Sequence, residues 1–105
     1  MTEAVQAEWD AERVLDYLHT HRETLRGFGV RKIGLFGSYA RGDQSPGSDM
    51  DFVVEMARPS YRDFMNLWHF LEDSFGVKVD LGEPHTLREE IRDDVLKDVR
   101  YVQEL

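Results

Sequence analysis

Leu35-Phe36-Gly37-Ser38-Tyr39-Ala40-Arg41-Gly42-Asp43-Gln44-Ser45-Pro46-Gly47-Ser48-Asp49-Met50-Asp51 is the stretch on which the fold turns. It starts as an apolar strand, breaks at Gly37-Ser38 into a short helix, crosses a turn rich in Gly, Pro and Ser, and re-enters a strand at Asp49 and Asp51. Side chains on a strand alternate with period two, so Asp49 and Asp51 share a face. Two hard oxygen ligands then lie beside a turn with free backbone N–H groups, an arrangement suited to a divalent metal that holds nucleotide phosphates.

Upstream, apolar Trp9, Val14, Leu18 and Leu25 recur at helical spacing with Tyr17 and His21 beside them, which predicts one amphipathic helix from about Val5 to Arg26. His19 and His21 diverge on such a helix and are no metal pair. Gly27-Phe28-Gly29 ends the helix, and Val30–Phe36 follows as a strand with Ile33 and Leu35 on one face.

Downstream, Met50, Phe52, Val54 and Met56 alternate with Asp51, Val53 and Glu55, the pattern of a strand with one buried face. Glu55 lies roughly 13 Å along the strand from Asp51 and reads as an ordinary exposed residue. Ser60 is a fair N-cap for a second amphipathic helix carrying Tyr61, Phe64, Met65, Trp68, Leu71 and Phe75. Those aromatics read as core, since a base-stacking surface needs basic neighbours that this stretch lacks. Gly76 closes the helix, and Val77–Leu81 is the next strand, with Val77, Val79 and Leu81 inward and Asp80 on the opposite, polar face. Beside the Asp49–Asp51 strand, Asp80 converges with both. Thr86 and Glu89 read as a capping box for a C-terminal helical segment that buries Ile91, Val95, Leu96, Val99 and Val102.

Strands separated by crossover helices imply an α+β (α/β-like) layer structure, a small mixed sheet with helices packed on one face. The other face carries the carboxylates, and nothing in the chain is expected to cover it. At 105 residues there is one core and one domain, residues 1–105. The net charge of −8 and pI near 4.9 argue against binding a duplex backbone. With no cysteine, disulfides, thiolate zinc sites and a cysteine nucleophile are excluded. Residues 1–12 lack the basic and apolar regions of a signal peptide, and no apolar run approaches the roughly 20 residues that cross a bilayer. A cytoplasmic protein is expected.

The other common nucleotide signatures, G-x-x-x-x-G-K-[ST] and G-x-G-x-x-G, are absent. Gly37-Ser38, a gap of ten residues containing Ala40-Arg41-Gly42, then Asp49-Met50-Asp51 and a later strand aspartate at Asp80 resemble the signature of the DNA polymerase β-type nucleotidyltransferase superfamily. The short length further resembles the minimal nucleotidyltransferase (MNT) antitoxins of HEPN/MNT toxin–antitoxin pairs. The resemblance implies a palm-like nucleotidyltransferase fold in which Gly37 and Ser38 bind the triphosphate of ATP. It implies that Asp49, Asp51 and Asp80 hold two Mg²⁺ ions, with Asp80 also accepting, or helping the metal remove, the proton of the attacking hydroxyl. Arg41 either contacts phosphate or ties its loop to an acidic neighbour. The implied activity is transfer of AMP from ATP to a hydroxyl, a tyrosine by expectation, of a cognate HEPN ribonuclease toxin. Two alternatives stay open: a non-catalytic antitoxin that masks the toxin stoichiometrically, and a small-molecule nucleotidyltransferase. The acceptor is expected to arrive as another protein, with no direct nucleic acid or membrane contact; homo-dimer and hetero-oligomer are both left open.

Overall fold

The computed structural model describes residues 9–103 and 105, without the side chains of Thr86 and Ile91. In chain order the elements are α1 (Ala11–Thr20), α2 (Arg22–Gly27), β1 (Val30–Phe36), α3 (Gly37–Arg41), β2 (Met50–Met56), α4 (Tyr61–Phe75), β3 (Val79–Gly82), a 3₁₀ turn (Pro84–Thr86), α5 (Glu89–Asp98) and β4 (Arg100–Tyr101). The strands form one mixed sheet in the order β3-β2-β1-β4. β1 is antiparallel to β2 and to β4, and β2 is parallel to β3.

Local chemistry explains most boundaries. Asp10 caps α1 by accepting a hydrogen bond from the Arg13 amide, 2.9 Å. Ser60 caps α4 from the Asp63 amide, 3.2 Å, and Gly76 ends it in the left-handed region at φ 69°. The helix expected over Val5–Arg26 is two helices, because the chain turns at His21 between α1 and α2; its first residues lie outside those described.

One face of the sheet makes the core. Ile33, Leu35, Met50, Phe52, Val54, Val79 and Leu81 meet Val14 and Leu18 of α1, Leu25 of α2, and Leu67, Leu71 and Phe75 of α4. Tertiary hydrogen bonds pin this layer: the Trp9 indole donates to the Phe75 carbonyl at 3.0 Å, and the Tyr17 hydroxyl bonds Ser74 Oγ at 3.0 Å. Phe64, Trp68, Phe70 and Phe75 of α4 pack in or against the core as expected, but Tyr61, read with them as core, is 80% exposed in the first turn of the helix.

The other face differs from expectation in its middle. Val53 is only 1% exposed although it shares the phase of Asp51. A Cβ on Gly34, the register partner of Val53, would lie 2.5 Å from Val99 Cγ1 and 2.9 Å from Tyr101 Cδ1, so the chain after α5 passes closely over this point. The face expected to be bare is therefore covered at its centre and open at its ends. Glu55 is half-buried there, in register with Lys32.

The C-terminal segment accounts for the remaining corrections. α5 begins at Glu89 with Arg88 in the cap position and no side-chain cap, so the Thr86–Glu89 capping box is not used as such. The helix stops at Asp98, and Val99 to Val102 run extended, with β4 pairing onto β1 and the Val102 amide donating to the Ile33 carbonyl at 3.0 Å. Val102 is buried, Val95, Leu96 and Val99 are half-buried, and Ile91 is outside the described side chains. β3 begins two residues later than Val77, where pairing with Met50 starts.

Candidate active site

Three elements converge at the ends of the central strands. β1 delivers Phe36, which pairs with Asp51 across the antiparallel ladder; Asp51 in turn pairs with Asp80 across the parallel one. Asp51 and Asp80 are thus adjacent on one face, as the phase of β2 and β3 requires. Asp49 is exposed just before β2, close enough for its charge to act on Asp51.

Gly37 makes room for the Asp51 carboxylate by having no side chain. Its φ is +76°, which disfavours any L-residue, and a Cβ there would lie 2.2 Å from Asp51 Oδ2. The Asp51 carboxylate itself therefore requires the space beside Gly37. After Gly37, α3 runs for one turn, half-burying Ser38 and burying Tyr39, and the Ser38 carbonyl accepts from the Gly42 and Asp43 amides at 2.8 and 3.1 Å. Gly42, at φ +83°, then releases the chain into the Gly-Pro-Ser turn.

Electrostatically the site is under tension. The Asp51 carboxyl is pushed up from 3.8 to about 6, first by burial and then by the charges of Asp80 and Asp49, with Arg41 acting in the opposite direction. Arg41 is nevertheless engaged with acidic neighbours, its Nε 3.2 Å from Asp43 Oδ2 and its Nη1 4.0 Å from Asp98 Oδ2. Asp98 stands at the end of α5, far away in sequence, and no local pattern reveals it. Among the described residues no group of three or more His, Asp or Glu side chains is arranged so that it could hold a metal ion. A cleft of about 780 Å³ opens at the far ends of β2 and β3, between residues such as Met56, Pro59, Phe64 and His85; the carboxylates are not part of its lining.

A strand, a glycine turn and one helical turn thus lead to Asp49 just before β2 and to Asp51 and Asp80 on adjacent strands, and comparison with known proteins gives the class. The chain belongs to the nucleotidyltransferase domain family, whose model matches residues 18–102. It is 41% identical over 93 residues to the protein adenylyltransferase MntA of Thermococcus cleftensis, an alignment covering 87% of this chain and 94% of that one. A solved structure of a minimal nucleotidyltransferase superposes with a TM-score of 0.75 at 26% identity, over 90% of this chain and 97% of the other. The fold also matches, with a TM-score of 0.59 at 19% identity over 87% of this chain and 73% of the other, a structure of the Shewanella oneidensis tri-AMPylated HEPN toxin in complex with its MNT antitoxin.

Proposed function

We propose that this protein is an antitoxin that transfers AMP from ATP to a hydroxyl of a cognate HEPN toxin, a tyrosine in the first instance, and neutralises it by that modification. The observation that carries the reading is the gathering of Asp49, Asp51 and Asp80 at one end of β2 and β3, opposite the glycine turn of Gly37. The name of the Thermococcus relative supports the reaction, and the AMPylated toxin bound to an MNT antitoxin supports the acceptor class. An acidic protein with a net charge of −8 suits a protein acceptor better than a nucleic-acid primer. Residues 1–105 act as one minimal domain in the cytoplasm, and among the described residues no helix is long and apolar enough to cross a membrane.

In the reaction the acceptor hydroxyl oxygen attacks the α-phosphorus of ATP. The bond from that phosphorus to the α–β bridging oxygen breaks, pyrophosphate departs with the electron pair, and the hydroxyl proton passes to Asp80. Gly37 and Ser38 bind the triphosphate through the first backbone amides of α3, which have no intrahelical acceptor, and the Ser38 hydroxyl. Arg41 supplies positive charge once it exchanges Asp43 for phosphate.

Asp49, Asp51 and Asp80 would hold Mg²⁺, two ions by family resemblance. The donor set fits: Mg²⁺ is commonly held by one or two carboxylates together with substrate phosphates, so an open acidic face suits it better than a closed cage. When bound, Mg²⁺ offsets the mutual repulsion of the carboxylates and the charge that develops on the phosphate oxygens.

The test is to mix the protein with the product of its neighbouring gene, ATP and Mg²⁺, and to weigh the partner. A gain of whole AMP units that is lost with EDTA and with Asp49→Asn/Asp51→Asn supports the reading. Full neutralisation by that double variant would replace it with stoichiometric masking.

A further inference from the structure

Asp80 stands on the least secure strand of the sheet. β3 has four residues, lies at the sheet edge and pairs in parallel with β2 alone. A slip of one residue would send Asp80 to the core face and bring Val79 or Leu81 out. Its outer edge is held where this matters. The Met50 amide donates to the Lys78 carbonyl at 2.9 Å, so the alternation of a parallel ladder turns the amide and carbonyl of Val79 away from β2. Both are taken by α4: the Trp68 indole N–H donates to the Val79 carbonyl at 2.9 Å, and the Val79 amide donates to Glu72 Oε2 at 3.1 Å. Trp68 and Glu72 are four residues apart and therefore stack on one face of the helix. That helix is anchored by buried Leu67, Leu71 and Phe75 and capped at both ends, and only Gly76, Val77 and Lys78 separate it from β3.

We propose that Trp68 and Glu72 are positioning residues: together they clamp Val79 and thereby hold Asp80 in register opposite Asp51. The proposal rests on the reading of Asp80 given above. α4 thus has two jobs, closing the core with one stripe and fixing an acidic strand with another. The clamp also denies the Val79 backbone to any additional strand at this edge.

The decisive variant is Trp68→Phe/Glu72→Leu in the full chain, which keeps bulk at both positions and removes both hydrogen bonds. Compared with the parent at a temperature where circular dichroism shows both folded, it is expected to exchange the Val79 amide about tenfold faster, bind Mn²⁺ about fivefold more weakly and lose about tenfold in kcat, while KM for ATP changes by less than about twofold. Glu72→Gln, which keeps an acceptor oxygen, is expected to stay near the parent in all four. If the double variant does not fold, Trp68→Phe alone is read in the same way. Parental Mn²⁺ affinity and kcat in a folded variant whose Val79 amide exchanges faster would overturn the proposal, as would unchanged Val79 protection. Asp80→Asn separates the two readings: if it still binds Mn²⁺ and transfers AMP, the role of Asp80 falls; if it is dead while the clamp variants are parental, only the clamp falls.

Discussion

The two faces of the sheet obey opposite rules. On the helix-covered face Phe52, Leu35, Ile33 and Leu71 are fully buried and mutually satisfied, and removing water from them is the driving force. On the other face the same strands hold Asp51, Asp80 and Asp49 near one another, raising Asp51 to about 6 by burial and like charge. One face stabilises the fold, and the other opposes it through the burial and mutual repulsion of like charges. Gly37 shows how closely the two are joined: a single turn ends a core strand and leaves room for a carboxylate.

That contrast can be broken most severely from the core side. Phe52→Ala should cost about 3–5 kcal/mol, a large fraction of the stability of a domain this size, and shift urea unfolding accordingly. Phe52 stacks on Phe75 with ring centroids 5.9 Å apart, so the cavity opens between β2 and α4.

Gly37→Ala attacks the junction. A left-handed φ costs an L-residue about 1–2 kcal/mol, and the new Cβ must displace Asp51, so AMP transfer should fall by about 10²-fold or more while the protein stays folded. Transfer to the toxin and a thermal melt, measured on the same preparation, check both halves of this expectation. Near-parental transfer would mean that the position of Asp51 does not matter.

From the acidic side the sign is reversed. The folded-state pKa of Asp51 lies above its ordinary 3.8, so the native chain keeps a proton that the unfolded chain has released. Its contribution favours folding below about pH 4 and is lost as pH rises through about 6. Asp51→Asn should therefore raise the Tm of metal-free protein above pH 6, by a few degrees for each ~1 kcal/mol, and flatten that part of the pH profile relative to the parent. It should also abolish stabilisation by Mg²⁺ and ATP, which in the parent grows with ligand concentration. A lower Tm for Asp51→Asn at pH 8 would contradict the picture of repelling carboxylates.

The smallest effect is expected at an exposed ion pair between α1 and the edge strand β4. Arg100 Nη2 contacts Glu12 Oε2 at 2.6 Å on the exposed surface, and Glu12→Ala should change stability by less than about 1 kcal/mol and leave transfer unaltered.

Legibility in the sequence followed the range of the interactions involved. The limits of β1, the cap of α4 at Ser60, its stop at Gly76 and the shared phase of Asp51 and Asp80 were readable because they depend on alternation and on residues one to four apart, whereas Asp49, read as part of the β2 strand, lies just before it. The turn at His21, the early end of α5 and the pairing of β4 with β1 were not. Val99 and Val102 fit a helical spacing, and only the offer of β1 as an edge makes the extended form better. Likewise Glu55 alternates with buried residues as an exposed one would, yet it lies half-buried in register with Lys32, and the Tyr101 pKa is raised first by burial and then by the Glu55 charge.

By itself, then, the sequence determined an acidic α+β chain with Asp51 and Asp80 in phase, and a motif that resembles the nucleotidyltransferases, since composition, period and motif spacing are properties of the chain alone. Only the tertiary structure decided that Gly37 must be glycine because Asp51 Oδ2 fills the space beside it, that Val99 closes the middle of the acidic face, that Arg41 leans toward Asp98, and that α4 clamps the strand before Asp80. Each of these depends on the distance between residues remote in sequence, and such distances exist only once the core has brought the elements together.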